Sequence, residues 1–232
     1  MSKPTFSQYL RANLDDVGKK KSCGPFVTFS FEYGCDGSEI GQSLVSRINS
    51  RIDPVAGPQA KWTLNDGQFL LQYAHDAGID PDLIRKERIL RPSFFKDVLR
   101  LFRGRNIPDC HEIFKGLQIP IREAAVKGRC VILGQGSTAA TAGLDNGLHI
   151  RLEGSREWKI SRIACREGLD RDVAAAKVDQ AQKRHKFLRA LYRKHNPRWP
   201  AFDLVLDNSQ FTNDHIVDLI LFAMEKLEYI PS

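Results

Sequence analysis

The segment of this chain best suited to chemistry runs from Gly34 through Cys35, Asp36, Gly37 and Ser38 to Glu39, directly after the apolar run Val27 to Phe31. A strand that turns through glycines into a helix start exposes main-chain N–H groups at the positive end of the helix dipole. Such a corner takes anions, phosphates above all, without requiring any particular side chain. The pattern departs from the phosphate-loop motif G-x-x-x-x-G-K-[ST], because no lysine follows Gly37 and Asp36 sets a carboxylate inside the turn. A plain strand-turn-helix corner, with glycine used for backbone geometry, accounts for the same residues. A second glycine turn, Gly134, Gln135 and Gly136, follows another apolar run, Cys130 to Leu133.

Other reactive residue types form no second constellation. Five cysteines, Cys23, Cys35, Cys110, Cys130 and Cys165, stand at irregular spacing without a C-x-x-C pair, so neither a disulfide framework nor a zinc site is indicated. Cys130 reads as a core residue, and Cys35, inside the glycine turn, is where a reactive thiol would fall. The six histidines are scattered, and Cys110 and His111 are too close to ligate one ion comfortably. Trp62, Trp158 and Trp199 can stack on a base or pack in a core or hinge.

The chain of 232 residues is 42% hydrophobic and 27% charged, an ordinary globular mixture. No apolar stretch approaches the ~18 residues of a membrane span, and the start of the chain lacks an apolar signal core, so the cytoplasm is expected and a membrane partner is not. A net charge of +7 and a pI near 9.2 favour an anionic partner. Much of the excess lies between Lys183 and Arg198, where Phe187, Leu188, Leu191 and Tyr192 recur at helical spacing. Basic residues on the outer face of such a helix are solvated or meet nucleotide phosphates; no aromatic-interleaved signature supports RNA or DNA.

These residues need elements to position them. Residues 1–24 read as a short helix and a lysine-rich linker, and 25–232 as one domain. Strands are expected at about 25–31, 130–133, 148–152 and 202–206, alternating with helices at about 38–50 and 112–127 and a closing helix whose apolar face runs from Ile216 to Leu227. Asn65 to Gln68 has the spacing of a capping box and predicts a helix carrying Phe69, Leu70 and Tyr73. Ser155 caps a helix that Gly168 ends, and Asp170 starts a long basic one. Alternating strands and helices imply an α/β fold with a parallel sheet, whose ligands bind at the carboxyl ends of the strands. Both glycine turns then share one rim.

The ordered segments resemble the cytidylate-kinase-like branch of the P-loop nucleoside monophosphate kinases. The likeness runs through Phe29 to Ile40, Cys130 to Gly136, Leu148 to Leu152, Lys159 to Ile163, Phe187 to Arg189 and Phe202 to Ser209. It implies a three-layer P-loop kinase fold with a helical lid and acceptor subdomain, the acceptor region at about 55–112 and a basic lid-like helix at about 165–198. It further implies ATP as phosphoryl donor, Mg²⁺ as its ion, and CMP or a related monophosphate as acceptor. In that likeness the backbone from Gly34 to Glu39 holds the donor phosphates, Glu39 contacts the ion, Arg162 and Arg184 close over the phosphates, and Asp66 and Arg85 serve the acceptor. A homodimer is left open.

The sequence departs from the branch in one direction. Phe31, Ser38 and Gln135 stand where the branch has arginines, Lys159 replaces another arginine, and Asp36 replaces a glycine. The changes remove positive charge, shorten a cation to a point charge at Lys159, or add negative charge at a polyphosphate site. A nucleotide-binding or regulatory protein with impaired transfer is therefore the alternative to an active kinase.

Overall fold

The run Phe26 to Phe31 is β-branched and aromatic with two-residue alternation, and it forms strand β1 at the centre of a parallel sheet. A computed structural model describes residues 24–67, 110–134, 136–195 and 202–231. In chain order these residues form β1 (Phe26–Phe31), α1 (Gly37–Ser50), β2 (Thr63–Asp66), α2 (Cys110–Lys127), β3 (Cys130–Leu133), α3 (Ser137–Ala140), β4 (Gly147–Glu153), α4 (Arg156–Glu167), α5 (Arg171–His195), β5 (Leu204–Asp207) and α6 (Asn213–Lys226). The strand order is β2-β3-β1-β4-β5, with every pairing parallel. Phe26 lies opposite both Cys130 and Gly147.

Alternation along β1 divides the core into two layers. Val27 and Phe29 point toward α1 and α6, where they pack with Ile40, Leu44, Ile216 and Ile220. Phe26 points the other way, toward Ile121 and Ala125 of α2 and Ala140 of α3. A third cluster, Ile160 and Ile163 against Ala174 and Val178, holds α4 to α5. The Ser155 hydroxyl accepts the Trp158 N–H at the start of α4, and the Thr212 hydroxyl accepts the His215 N–H at the start of α6.

One expected helix start is replaced. Thr63 to Asp66 is a strand, with Thr63 opposite Cys130 and Asp66 opposite Leu133, so no helix starts at Asn65 and Asp66. The capping-box spacing was a local signal, and pairing with the apolar edge of β3 overrides it. The helix expected to carry Phe69, Leu70 and Tyr73 lies outside the described residues, as do the segment 1–23, Arg85, Gln135 and Trp199. Helix α2 runs through Pro120, and the loop after α1 contains two short 3-10 turns, Pro54–Ala56 and Pro58–Ala60. Among the described residues no helix is long and apolar enough to cross a membrane.

Candidate functional site

Parallel strands deliver their carboxyl ends to one edge, and four loops meet there: residues 32–36 after β1, 134–136 after β3, 154–155 after β4 and 208–212 after β5. The bend after β1 closes through a hydrogen bond from the Cys35 N–H to the Glu32 carbonyl. Gly34 sits at φ +103°, and a Cβ there would approach Lys159 Cβ at 3.1 Å. Only glycine combines that backbone with so close a neighbour. At Gly37 a Cβ would lie 2.3 Å from the ring of Phe31. Phe31 thus fills space against the helix start, at the position where the related strings carry an arginine.

Asp36 occupies the N-cap position of α1 without capping it. Its carboxylate is instead gripped by the Arg162 fork: Nε lies 3.2 Å from Oδ1, and Nη2 contacts Oδ2. Asn213 Nδ2 donates to the same Oδ2 at 3.2 Å, and Arg166 stands 3.9 Å from Oδ1. The Asp36 backbone N–H donates to Asn208 Oδ1 at 2.9 Å, and Asn208 Nδ2 donates to Asn213 Oδ1 at 3.1 Å. The Asp36 side chain is 3% exposed and that of Arg162 36%. Beneath the guanidinium lies the Trp158 ring, 5.2 Å from Arg162 Cζ to the ring centroid. Among the described residues, the N–H groups of Gly37, Ser38 and Glu39 have no acceptor.

These side chains line an open cleft of about 400 Å³ between the bend, α4 and the loop after β5, with Phe211 on its far wall. An arginine fork that holds a carboxylate holds a phosphate by the same two parallel N–H bonds. Here that fork is engaged by the Asp36 carboxylate.

A second charged cluster lies behind the bend. Glu32 receives Lys159 Nζ on one oxygen and Arg151 Nη2, at 3.0 Å, on the other, while Arg151 Nε reaches Glu153. Glu32, Arg151 and Lys159 are each more than nine-tenths buried. Burial works to raise the Glu32 pKa, but the Lys159 hydrogen bond and the charges of Lys159 and Arg151 outweigh it and hold the carboxyl below its ordinary range. A cleft of about 540 Å³ lies beside this cluster, bordered by Gln182, Arg189 and Asp207.

The structure distributes the expected site residues unevenly. Asp36 and Arg162 meet directly, and Glu39 is exposed, accepting a hydrogen bond from Asn213 Nδ2 at 3.2 Å. Ser38 Oγ lies 3.5 Å from Asp66 Oδ2, at the limit of a hydrogen bond. Arg184 belongs to α5, and its side chain is outside the described residues. Gly134 and Gly136 flank a turn closed by the Ser137 N–H on the Gly134 carbonyl. A reactive Cys35 is not supported: burial, followed by the nearby Glu32 charge, pushes its thiol up to about 12. Nor does Arg151 replace the missing arginines, because it is committed to Glu32 and Glu153. Sequence reasoning passed over Glu32, Asn208 and Asn213.

A polyphosphate-held magnesium ion needs only one or two protein carboxylates. Exposed Glu39, next to Ser38 in sequence, and Asp66, whose Oδ2 lies 3.5 Å from Ser38 Oγ, have the donor chemistry for that role. Among the described residues, no three His, Cys, Asp or Glu side chains gather to hold a metal by themselves.

A model of the cytidylate kinase-like family matches residues 59–210. The chain belongs to that family. The match begins beyond the bend, leaving the altered Gly34 to Glu39 loop outside it and taking in Asp66, the Gly134 turn, Arg151, Lys159, Arg162 and Asn208. Among solved structures, an uncharacterized protein from Eubacterium ventriosum ATCC 27560 aligns at a TM-score of 0.56 and 15% identity, covering 87% of this chain and 98% of that one. TT1252 from Thermus thermophilus aligns at 0.41 and 13% identity, covering 88% of this chain and 98% of that one. The first likeness bears on the fold alone, and the second carries no weight. No curated protein matches the chain.

Proposed function

We propose that the chain is a nucleotide-binding relative of the nucleoside monophosphate kinases in which transfer of the ATP γ-phosphoryl to CMP or a related monophosphate is impaired. One observation carries this reading: the buried Asp36 carboxylate in the bend already holds Arg162. An arginine directed at a transferring phosphoryl group accelerates transfer by about 10³ to 10⁵. Two unit negative charges about 4 Å apart repel by roughly 4 kcal/mol at an effective dielectric near 20. Asp36 thus acts twice, by engaging the cation and by opposing the anion.

Binding is supported by the N–H groups at the start of α1, which have no acceptor among the described residues, and by the cleft beside Asp36. In this reading the chain keeps the three-layer P-loop kinase architecture, α4 and α5 act as the lid, and Arg184 assists Arg162. Asp66, at the end of β2, and Arg85 serve the acceptor. Glu39 would hold the magnesium ion, which supplies charge neutralisation when bound with ATP. The protein is taken to be cytoplasmic, with nucleotides rather than nucleic acids as partners, and the reading does not require a homodimer.

Coupled ADP release with a panel of monophosphates and ample Mg·ATP provides the test. A flat signal is expected; turnover in the usual kinase range of about 1–100 s⁻¹ would return the chain to the active kinases. Thermal shift with ATP, CMP and CTP tests binding itself, since a ligand at about 100 times its Kd stabilises a fold by about 2.7 kcal/mol. No shift with any of these nucleotides, nor with adenosine or cytidine, rejects the reading.

A further inference from the structure

The cleft beside Asp36 has a floor, two aromatic walls and a polar rim, and the charge of its floor selects what enters. Its floor is the Asp36 carboxylate under the Arg162 fork; Trp158 and Phe211 provide ring surfaces, and Gln210 stands exposed at the rim. Its volume of about 400 Å³ lies within the range of small-molecule pockets, about 300–1,000 Å³. The polar atoms of the floor are largely committed to one another: Asn208 binds the Asp36 backbone and Asn213, and Asn213 binds Asp36 and Glu39.

We propose that this cleft is selective for a nucleoside that carries no polyphosphate chain. The inference rests on the nucleotide-binding reading and names the ligand class of that same site. A planar base finds the Phe211 ring and the Trp158 edge, and the Gln210 amide offers both a donor and an acceptor to the base edge. A 5′-triphosphate on the same nucleoside meets Asp36 and Asp214 and must compete with Asp36 for Arg162. The amides at Gly37 to Glu39 are neutral donors and offset that opposition only in part. Replacing the branch's glycine by Asp36 has thus exchanged a phosphate-seeking loop for one that carries its own anion.

Isothermal titration of the full chain with adenosine, cytidine and their 5′-triphosphates, in buffer containing Mg²⁺, tests this directly. The nucleoside is expected to bind at least as tightly as its triphosphate. In Asp36→Asn, which keeps the side-chain shape and removes the charge, triphosphate affinity should rise by about tenfold or more while nucleoside affinity changes by less than about threefold. Phe211→Ala should weaken the nucleoside. A wild-type chain that binds triphosphate about tenfold tighter than nucleoside overturns the inference and leaves the nucleotide-binding reading standing. Binding of none of the four compounds overturns that reading, and the inference with it. Unchanged nucleoside affinity in Phe211→Ala moves the ligand away from this cleft and also overturns the inference. The wild-type comparison decides even if a variant fails to fold.

Discussion

Glu32 and Asp36 lie four residues apart in one bend, and each takes a cation from α4, yet the two pairs differ in what surrounds them. Around Glu32 both cations are enclosed: the side chains of Glu32, Lys159 and Arg151 are 7%, 6% and 5% exposed. Around Asp36 the carboxylate is enclosed, but Arg162 opens to a cleft and Arg166 is about half exposed. Lys159 and Arg162 are one helical turn apart, so a single face of α4 supplies both cations. The enclosed pair ties α4 to β1 and β4 and only edges its own cleft, whereas in the open pair the cation itself is in reach of solvent. Charge in the bend therefore serves architecture at one end and, in the inference proposed above, selectivity at the other.

Removing Glu32 gives the largest expected effect. Glu32→Ala leaves Lys159 and Arg151 buried without their shared carboxylate, and loss of one partner from such a set costs about 3–5 kcal/mol. Urea unfolding of the purified variant measures it, and a loss below about 1 kcal/mol would erase the distinction between the two pairs. The linkage has a definite sign. Because the folded pKa is held below its ordinary 4.5, this contribution is fully present above about pH 4.5 and declines as pH falls through the lower folded value. Glu32→Gln should flatten that acid limb.

Gly34→Ala comes next. The new Cβ would sit at φ +103° and 3.1 Å from Lys159 Cβ, pressing on the enclosed pair from the backbone side. Strain of this kind costs about 1–3 kcal/mol, read as a lower unfolding midpoint. A wild-type midpoint would mean that the bend relaxes freely, contrary to an architectural role for the Glu32 cluster.

The open pair is expected to matter less for stability. A double-mutant cycle of Asp36→Asn and Arg162→Ala should return a coupling of about 1 kcal/mol, at the lower end of the range for contacting residues, because solvent already screens the arginine. A coupling near 3 kcal/mol would make Asp36 and Arg162 a structural lock and weaken the case for ligand selection there.

The layout of this rim was largely legible from local signals. Apolar runs ending in glycine turns marked β1 and β3, Ser155 marked the start of α4, and Gly168 marked its end. Strand β2 was not legible, since its four residues contain only Leu64 as an apolar member and its pairing partner lies more than sixty residues away. Asp36 was noticed as an added anion, but its partner was not, because the Asp36 and Arg162 contact spans 126 positions and depends on how α4 leans over the bend. Asn208 stood within a string that already carried the family likeness; only the sheet order brings its amide to the Asp36 backbone, 172 positions away. Spacing in sequence signals caps and turns, whereas long-range charge pairing is fixed by topology.

The smallest expected effect comes from the other side of the sheet and separates the acid response of the bend from that of the core. His149 on β4 is buried; its Nδ1 lies 2.8 Å from Thr28 Oγ1, and its backbone N–H donates to Asp203. Thr28 Oγ1 is also 3.1 Å from Thr138 Oγ1, so the ring belongs to a closed polar network rather than to the cleft. Burial lowers the His149 pKa, and the Asp203 charge opposes that shift only in part. A histidine with a depressed folded pKa favours its neutral form, so its contribution is present above the ordinary 6.5 and is lost as pH falls through the folded value. Stability should therefore begin to decline at higher pH than the Glu32 limb, and His149→Gln should remove that early decline while leaving the later one intact. Were the early decline to persist unchanged in His149→Gln, the buried ring would not be its source, and the Thr28, Thr138 and His149 network would not set the pH response of the fold.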